Sequence, residues 1–170
     1  IAATGVQQLG AGRNTQEAAQ PLIHEQDGIT IGLLAYADRE CGAVYASTEK
    51  PGVNPFDVEQ AVTEIKALKS RVDHVVLLIH WGEERILLPS PKQRDWARRL
   101  SAAGADILIG HHAHVLQGYE NIDGMHAFYS LGNFMMADIY KGQVRRVRYC
   151  RDNYLTAVPI FSFRKGARPK

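Results

Sequence analysis

Cysteine is scarce in this 170-residue chain. Cys41 and Cys150 are the two present, far apart and at no spacing typical of a metal site. One disulfide and two free thiols are both open to such a pair, so the cysteines say little about compartment. Long apolar runs are missing as well. None approaches the roughly 18 residues of a bilayer-spanning helix, and no signal-peptide pattern starts at Ile1. Neither sign of charge dominates: the net charge of +2 is too small to argue for a nucleic-acid partner. Basic residues do crowd the end of the chain, where Lys141, Arg145, Arg146, Arg148, Arg151, Arg164, Lys165, Arg168 and Lys170 face one acid, Asp152. They lack the interleaved aromatic platform of a single-strand binder. They read as a solvated edge or as a surface that attracts an anionic polymer. A G-x-S-x-G elbow is absent, which argues against a serine hydrolase. Internal repeats and low-complexity linkers are absent too.

What is present is a pattern of alternating strands and helices in a chain long enough to bury its own core. Ile29 to Tyr36 is a continuous apolar run with β-branched residues, the mark of a buried strand. Asn54 and Pro55 read as the N-cap and first position of a helix whose apolar face is Val58, Ala61, Val62, Ile65 and Leu68. Val75 to Ile79 is a second buried strand ending at His80. Ser90 and Gln93 have capping-box spacing before a helix that Gly104 is placed to end. Ile107 to Ile109 is a third strand, Gly124 to Leu131 a fourth after a turn around Asn121 to Gly124, and Tyr154 to Phe163 a last one weakened by Pro159. This order predicts an α/β fold with parallel pairing in its first half. One domain covers 1–170. The first residue is not Met, and the chain reads as processed or as a fragment, truncated at the N-terminus.

Two of these strands run into histidine, as His80-Trp81-Gly82-Glu83-Glu84 and as Gly110-His111-His112-Ala113-His114. Ligands in open α/β sheets collect beyond the carboxyl ends of the strands. If the two strands are parallel neighbours, their imidazoles converge, and imidazoles with carboxylates make transition-metal sites. A single strand-end histidine is usually just a satisfied polar group. Three within four positions after an apolar strand point to metal binding or direct catalysis. The other signals are weaker. Asn14 and Glu17 fit a capping box, while Arg13 beside that helix start would suit an anionic group. Glu83 and Glu84 would steady His80, meet substrate or simply face solvent. Asn133 would line the cleft or serve a turn. Trp81 reads as packing or a wall of the site, and His24, His74 and His126 as surface or core residues.

The stretches GAGRNTQEA (10–18), PGVNP (51–55), HWGEE (80–84), AGADILIGHHAHVLQG (103–118) and YSLGNF (129–134) stand in an order and spacing that resemble the CapA/PgsA-type capsule-synthesis proteins of the calcineurin-like metallophosphoesterase superfamily. The resemblance covers most of residues 5–135. It implies part of an α-β-β-α metallophosphoesterase-like sandwich around two divalent metals, Mn, Fe or Zn. It implies His80, His112 and His114 as metal ligands, and His111 as a neighbour that touches substrate or donates a proton, the catalytic candidate. Arg13, Asn14, Glu83 and Asn133 are the substrate-binding candidates. The implied role is synthesis or export of poly-γ-glutamate or a related capsular polymer, with a metal-dependent hydrolase site or as an inactive scaffold. The implied partners are the anionic polymer or a phosphoester, other capsule-synthesis proteins and the N-terminal half of the domain. The implied location is the extracytoplasmic side of the cell envelope, membrane-associated in the full-length protein. The family's upstream aspartate, glutamate and Asn-His pair do not occur in this sequence.

Overall fold

Successive side chains of a strand point to opposite faces, and this governs how the chain packs. In the computed structural model, which describes residues 5–135, 139–142, 144–147 and 150–170, the elements run β1 (Ala11–Gly12), α1 (Thr15–Ala18), β2 (Leu22–Gln26), β3 (Ile29–Ala37), β4 (Gly52–Val53), α2 (Val58–Lys69), β5 (His74–His80), α3 (Pro91–Ala103), β6 (Ile107–His111), β7 (Tyr119–Ile122), β8 (Met125–Phe128), β9 (Ile139–Lys141) and β10 (Val144–Val147). Six strands form one mixed sheet in the order β2-β3-β5-β6-β8-β7. The four central strands are parallel, and β2 and β7 close the two edges as antiparallel hairpin partners. The α/β class and the parallel first half are as the sequence predicts.

One face of the sheet carries the helices. Leu34, Tyr36, Val75, Leu77, Ile79 and Leu108 point into a core shared with Ala61, Ile65 and Leu68 of α2 and Ala97 and Leu100 of α3. The neighbours of opposite parity, Leu33, Ala35, Leu78 and Ile109, are only half-buried. Part of that second face is crossed by the C-terminal segment, where Phe161 packs on His126 and Phe128, and Phe163 packs on His74.

Helix α3 is built as its sequence says. Ser90 accepts from the Gln93 backbone, the Gln93 amide oxygen accepts from the Ser90 backbone, and Gly104 closes the helix in the left-handed conformation at φ 109°. Helix α2 starts later than expected. Its cap is Asp57, not Asn54, and Pro55 is not its first residue. The reason is that residues 54–56 still run alongside β3. The Asn54 side-chain amide donates to the Ala35 carbonyl, Pro55 bridges Ala37, and the Phe56 N–H donates to the Ala37 carbonyl. Asp57 is the first residue free to turn.

Two other readings are corrected. The fourth strand is shorter than 124–131, occupying Met125–Phe128 after a turn in which the Asn121 side chain accepts from Gly124. Residues 154–163 are not a strand. They leave a 3₁₀ turn at Arg151–Tyr154, bridge Gly132 at Thr156 and exchange backbone hydrogen bonds between Ser162 and Lys170, with no continuous ladder among the described residues. A segment that crosses a sheet face with its aromatic rings down cannot also join the ladder of the strands beneath it. Within the basic stretch, Arg148 and the side chains of Lys141, Arg145 and Arg146 lie outside the described residues.

Candidate metal centre

Register brings the histidines together. β5 and β6 are adjacent and parallel, with His80 directly opposite His111 at their carboxyl ends. Beyond β6 the chain reverses sharply, and His112 and His114 both take positive φ, 97° and 57°. Residues with a Cβ resist this conformation, at about 1–3 kcal/mol each, and hold it where the surroundings impose it. Glycine makes the approach feasible: a Cβ on Gly110 would sit 1.9 Å from the Tyr129 carbonyl oxygen. The turn aims the His112 ring back at His80, leaving Nδ1 of His112 2.9 Å from Nε2 of His80.

His114 is oriented by Asn133. The Asn133 amide nitrogen donates to two backbone carbonyls, of His114 at 3.0 Å and of Asn153 at 2.8 Å. Carbonyls only accept, so the amide oxygen must face the other way. There it lies 2.8 Å from Nδ1 of His114. Nδ1 therefore carries the proton and Nε2 keeps its lone pair, the form in which an imidazole binds a cation. Buried Asn153 donates a further bond to the His114 carbonyl.

A cysteine joins the cluster. Just after β3, Asp38 caps a 3₁₀ turn, Arg39–Cys41, and its own N–H donates to the His80 carbonyl at 2.8 Å. The turn sets the Cys41 sulfur 3.6 Å from that same carbonyl. The Cys41 Sγ and ring nitrogens of His80 and His112 all lie within 4.8 Å of one another. Two imidazoles and a thiol suit a transition-metal cation better than magnesium or calcium. Electrostatics favour neutral rings at this corner. Burial lowers the pKa of His80, and the neighbouring histidines 112, 111 and 114 lower it further. Burial alone lowers that of His111. The Cys41 thiol is pushed up to about 11 by burial and then by Asp38, Glu40 and Glu84.

The structure thus gathers His80, His111, His112, His114 and Asn133 at one sheet edge. The remaining candidates have local engagements. Asn14 accepts from the Glu17 backbone as a helix cap, and the Glu17 carboxylate reaches the Arg13 backbone and, at 2.5 Å, the Arg13 guanidinium. Glu83 and Glu84 are exposed, with Glu83 on a cleft shared with Asp38, Gln93 and Lys92. Trp81 is fully buried, stacked on Tyr129 and donating to its carbonyl. It is packing. His74 and His126 donate to the carbonyls of Arg164 and Pro169. Cys41 and Cys150 are both free. Cys41 and Asn153 were not among the sequence candidates. The strand-end rule, applied to β3 as it was to β5 and β6, would have pointed to the first of them.

The family model described as "Bacterial capsule synthesis protein PGA_cap" matches residues 1–138. The chain belongs to this family. Among similar proteins is the PGA biosynthesis protein CapA of Bacillus subtilis (strain 168), 40% identical over 128 residues, covering 75% of this chain and 34% of that protein. The capsule biosynthesis protein CapA of Bacillus anthracis is 36% identical over 131 residues, covering 75% of this chain and 32% of its own length. The chain spans about a third of the length of these relatives. Among solved structures, a hypothetical protein from Thermus thermophilus aligns over 66% of this chain and 38% of its own with a TM-score of 0.44 and 14% identity. All five of the clustered candidates, His80, His111, His112, His114 and Asn133, fall inside the segment matched to PGA_cap.

Proposed function

We propose that this chain is part of a protein that serves synthesis or export of capsular poly-γ-glutamate or a related anionic polymer, with a metal-assisted hydrolytic centre at the carboxyl edge of its sheet. The observation that carries the reading is the 2.9 Å approach of His80 Nε2 and His112 Nδ1, one at the end of β5 and the other in the turn just after its parallel neighbour β6. Two ring nitrogens facing each other at that distance form a pincer for a cation when neither carries a proton. His114, steadied by Asn133, offers a further lone pair. A divalent cation held there supplies Lewis acidity and a nucleophile at neutral pH. His111 sits opposite His80, burial lowers its pKa and favours its neutral form, and in that form the ring can accept a proton. In this reading two such ions, Mn, Fe or Zn, serve the full-length protein, with the N-terminal half of its domain supplying the other ligands. It works beside other capsule-synthesis proteins on the extracytoplasmic face of the envelope. Among the described residues no helix is long and apolar enough to cross a membrane.

Metal analysis of the full-length protein tests this, together with a phosphodiesterase assay on a chromogenic ester. Bound Mn, Fe or Zn that is lost in His112→Ala and His114→Ala is the expected result. Bound metal without turnover would favour a scaffold that has kept the fold and not the chemistry. Absence of metal from the wild-type protein at neutral pH would sink the centre.

A further inference from the structure

We propose that Cys41 is a thiolate ligand of the cation held by His80 and His112, so that this chain builds a nitrogen–sulfur centre selective for thiophilic ions such as zinc. The inference rests on the metal reading above and adds to it a ligand that the histidine motifs do not contain. The sulfur is placed to add a ligand to the two imidazoles. It lies within 4.8 Å of a ring nitrogen of each, in the turn that follows β3, the other neighbour of β5. Its position is held on several sides. The Cys41 N–H donates to the Asp38 carbonyl at 3.0 Å, the Tyr45 hydroxyl donates to that same carbonyl, and Gly42 in the left-handed conformation ends the turn. Carboxylates stand close by, Asp38 as the cap of the turn and Glu40 within it beside Cys41. Binding an ion breaks the S–H bond, releases the proton to solvent and forms the metal–sulfur bond. The ion offsets the carboxylate charge that otherwise opposes the sulfur anion.

Ligand softness gives the consequence. Thiolate favours zinc and cobalt over manganese and magnesium, which prefer oxygen. Cobalt(II) loaded into the full-length protein in place of the native ion should show a near-ultraviolet sulfur-to-metal charge-transfer band. Cys41→Ser should abolish that band while visible cobalt transitions persist, and Cys150→Ser should keep it. Groups one step removed from a metal are already worth about 10–100-fold in affinity. Cys41→Ser should therefore weaken zinc at least about tenfold, with manganese affinity changed far less. A second measurement needs no variant. X-ray absorption of the zinc-loaded wild type should show a sulfur scatterer at about 2.3 Å. Zinc bound through nitrogen and oxygen alone, or a charge-transfer band that survives Cys41→Ser, would overturn the role of Cys41 and leave the histidine centre standing. Failure of the wild type to bind zinc or cobalt would overturn the role of Cys41, and failure to bind any of Mn, Fe, zinc or cobalt would overturn the histidine centre as well.

Discussion

An imidazole binds a cation only through an unprotonated nitrogen, so the amide that decides the His114 tautomer matters as much as the ring. Removing it in Asn133→Ala frees His114 to rotate and to carry its proton on either nitrogen. Metal affinity should fall by about 10–100-fold with all histidines intact, measured by calorimetric titration. The lowered pKa values of His80 and His111 carry a stability consequence for the metal-free protein. The folded form disfavours protonation of these rings relative to the unfolded chain, so the unfolded state binds more protons below the ordinary value of 6.5. Their effect is neutral above that pH. Stability should then decline as pH falls from 6.5 toward the lowered folded-state values, which urea midpoints of chelator-treated protein at a series of pH values would reveal. At this scale the histidines were legible because three of them crowd one strand end. Cys41 is fainter, because it stands alone and not at the strand end itself but in the turn beyond Ala37, the last residue of β3.

Elements were legible where local chemistry and packing agree. Helix α3 has its capping box, its proline and its closing glycine in the sequence, and the fold uses all three. Ser90→Ala should cost about 1 kcal/mol in urea unfolding. Truncating the Trp81 side chain behind the site removes a ring that is wholly buried between Phe56, Trp96 and Tyr129. Trp81→Ala should cost about 3–5 kcal/mol. The start of α2 was misread because Asn54 and Pro55 have the right chemistry for a helix entry, yet tertiary bonds to β3 claim both. The segment 154–163 was misread because its aromatic residues resemble those of a strand. Their use is to cover a sheet face from above, and sequence periodicity does not distinguish the two.

At the scale of the molecule, the two ends of the parallel strands differ. The amino ends are fastened by the C-terminal tail. Buried Asp106 accepts from the Val75 N–H and binds Lys69 at 2.7 Å and Arg168 at 2.8 Å. Asp106→Ala leaves that N–H without a partner and should cost about 2–3 kcal/mol. Arg168→Ala removes a half-exposed partner and should cost about 1 kcal/mol or less, both read from denaturant midpoints. The α/β class was legible from the alternation of elements. The tail clasp was not, because an aspartate at 106 and an arginine at 168 have no sequence relation until β5 and β6 lie side by side.

The clasp and the histidines are thus separated by the full length of the strands, five to seven residues of rigid ladder. Loosening the fastening should lower the temperature at which the molecule melts and leave the colour of a cobalt-loaded centre unaltered. Robustness and chemistry would then be free to change independently, each at its own end of the same β-ribbons.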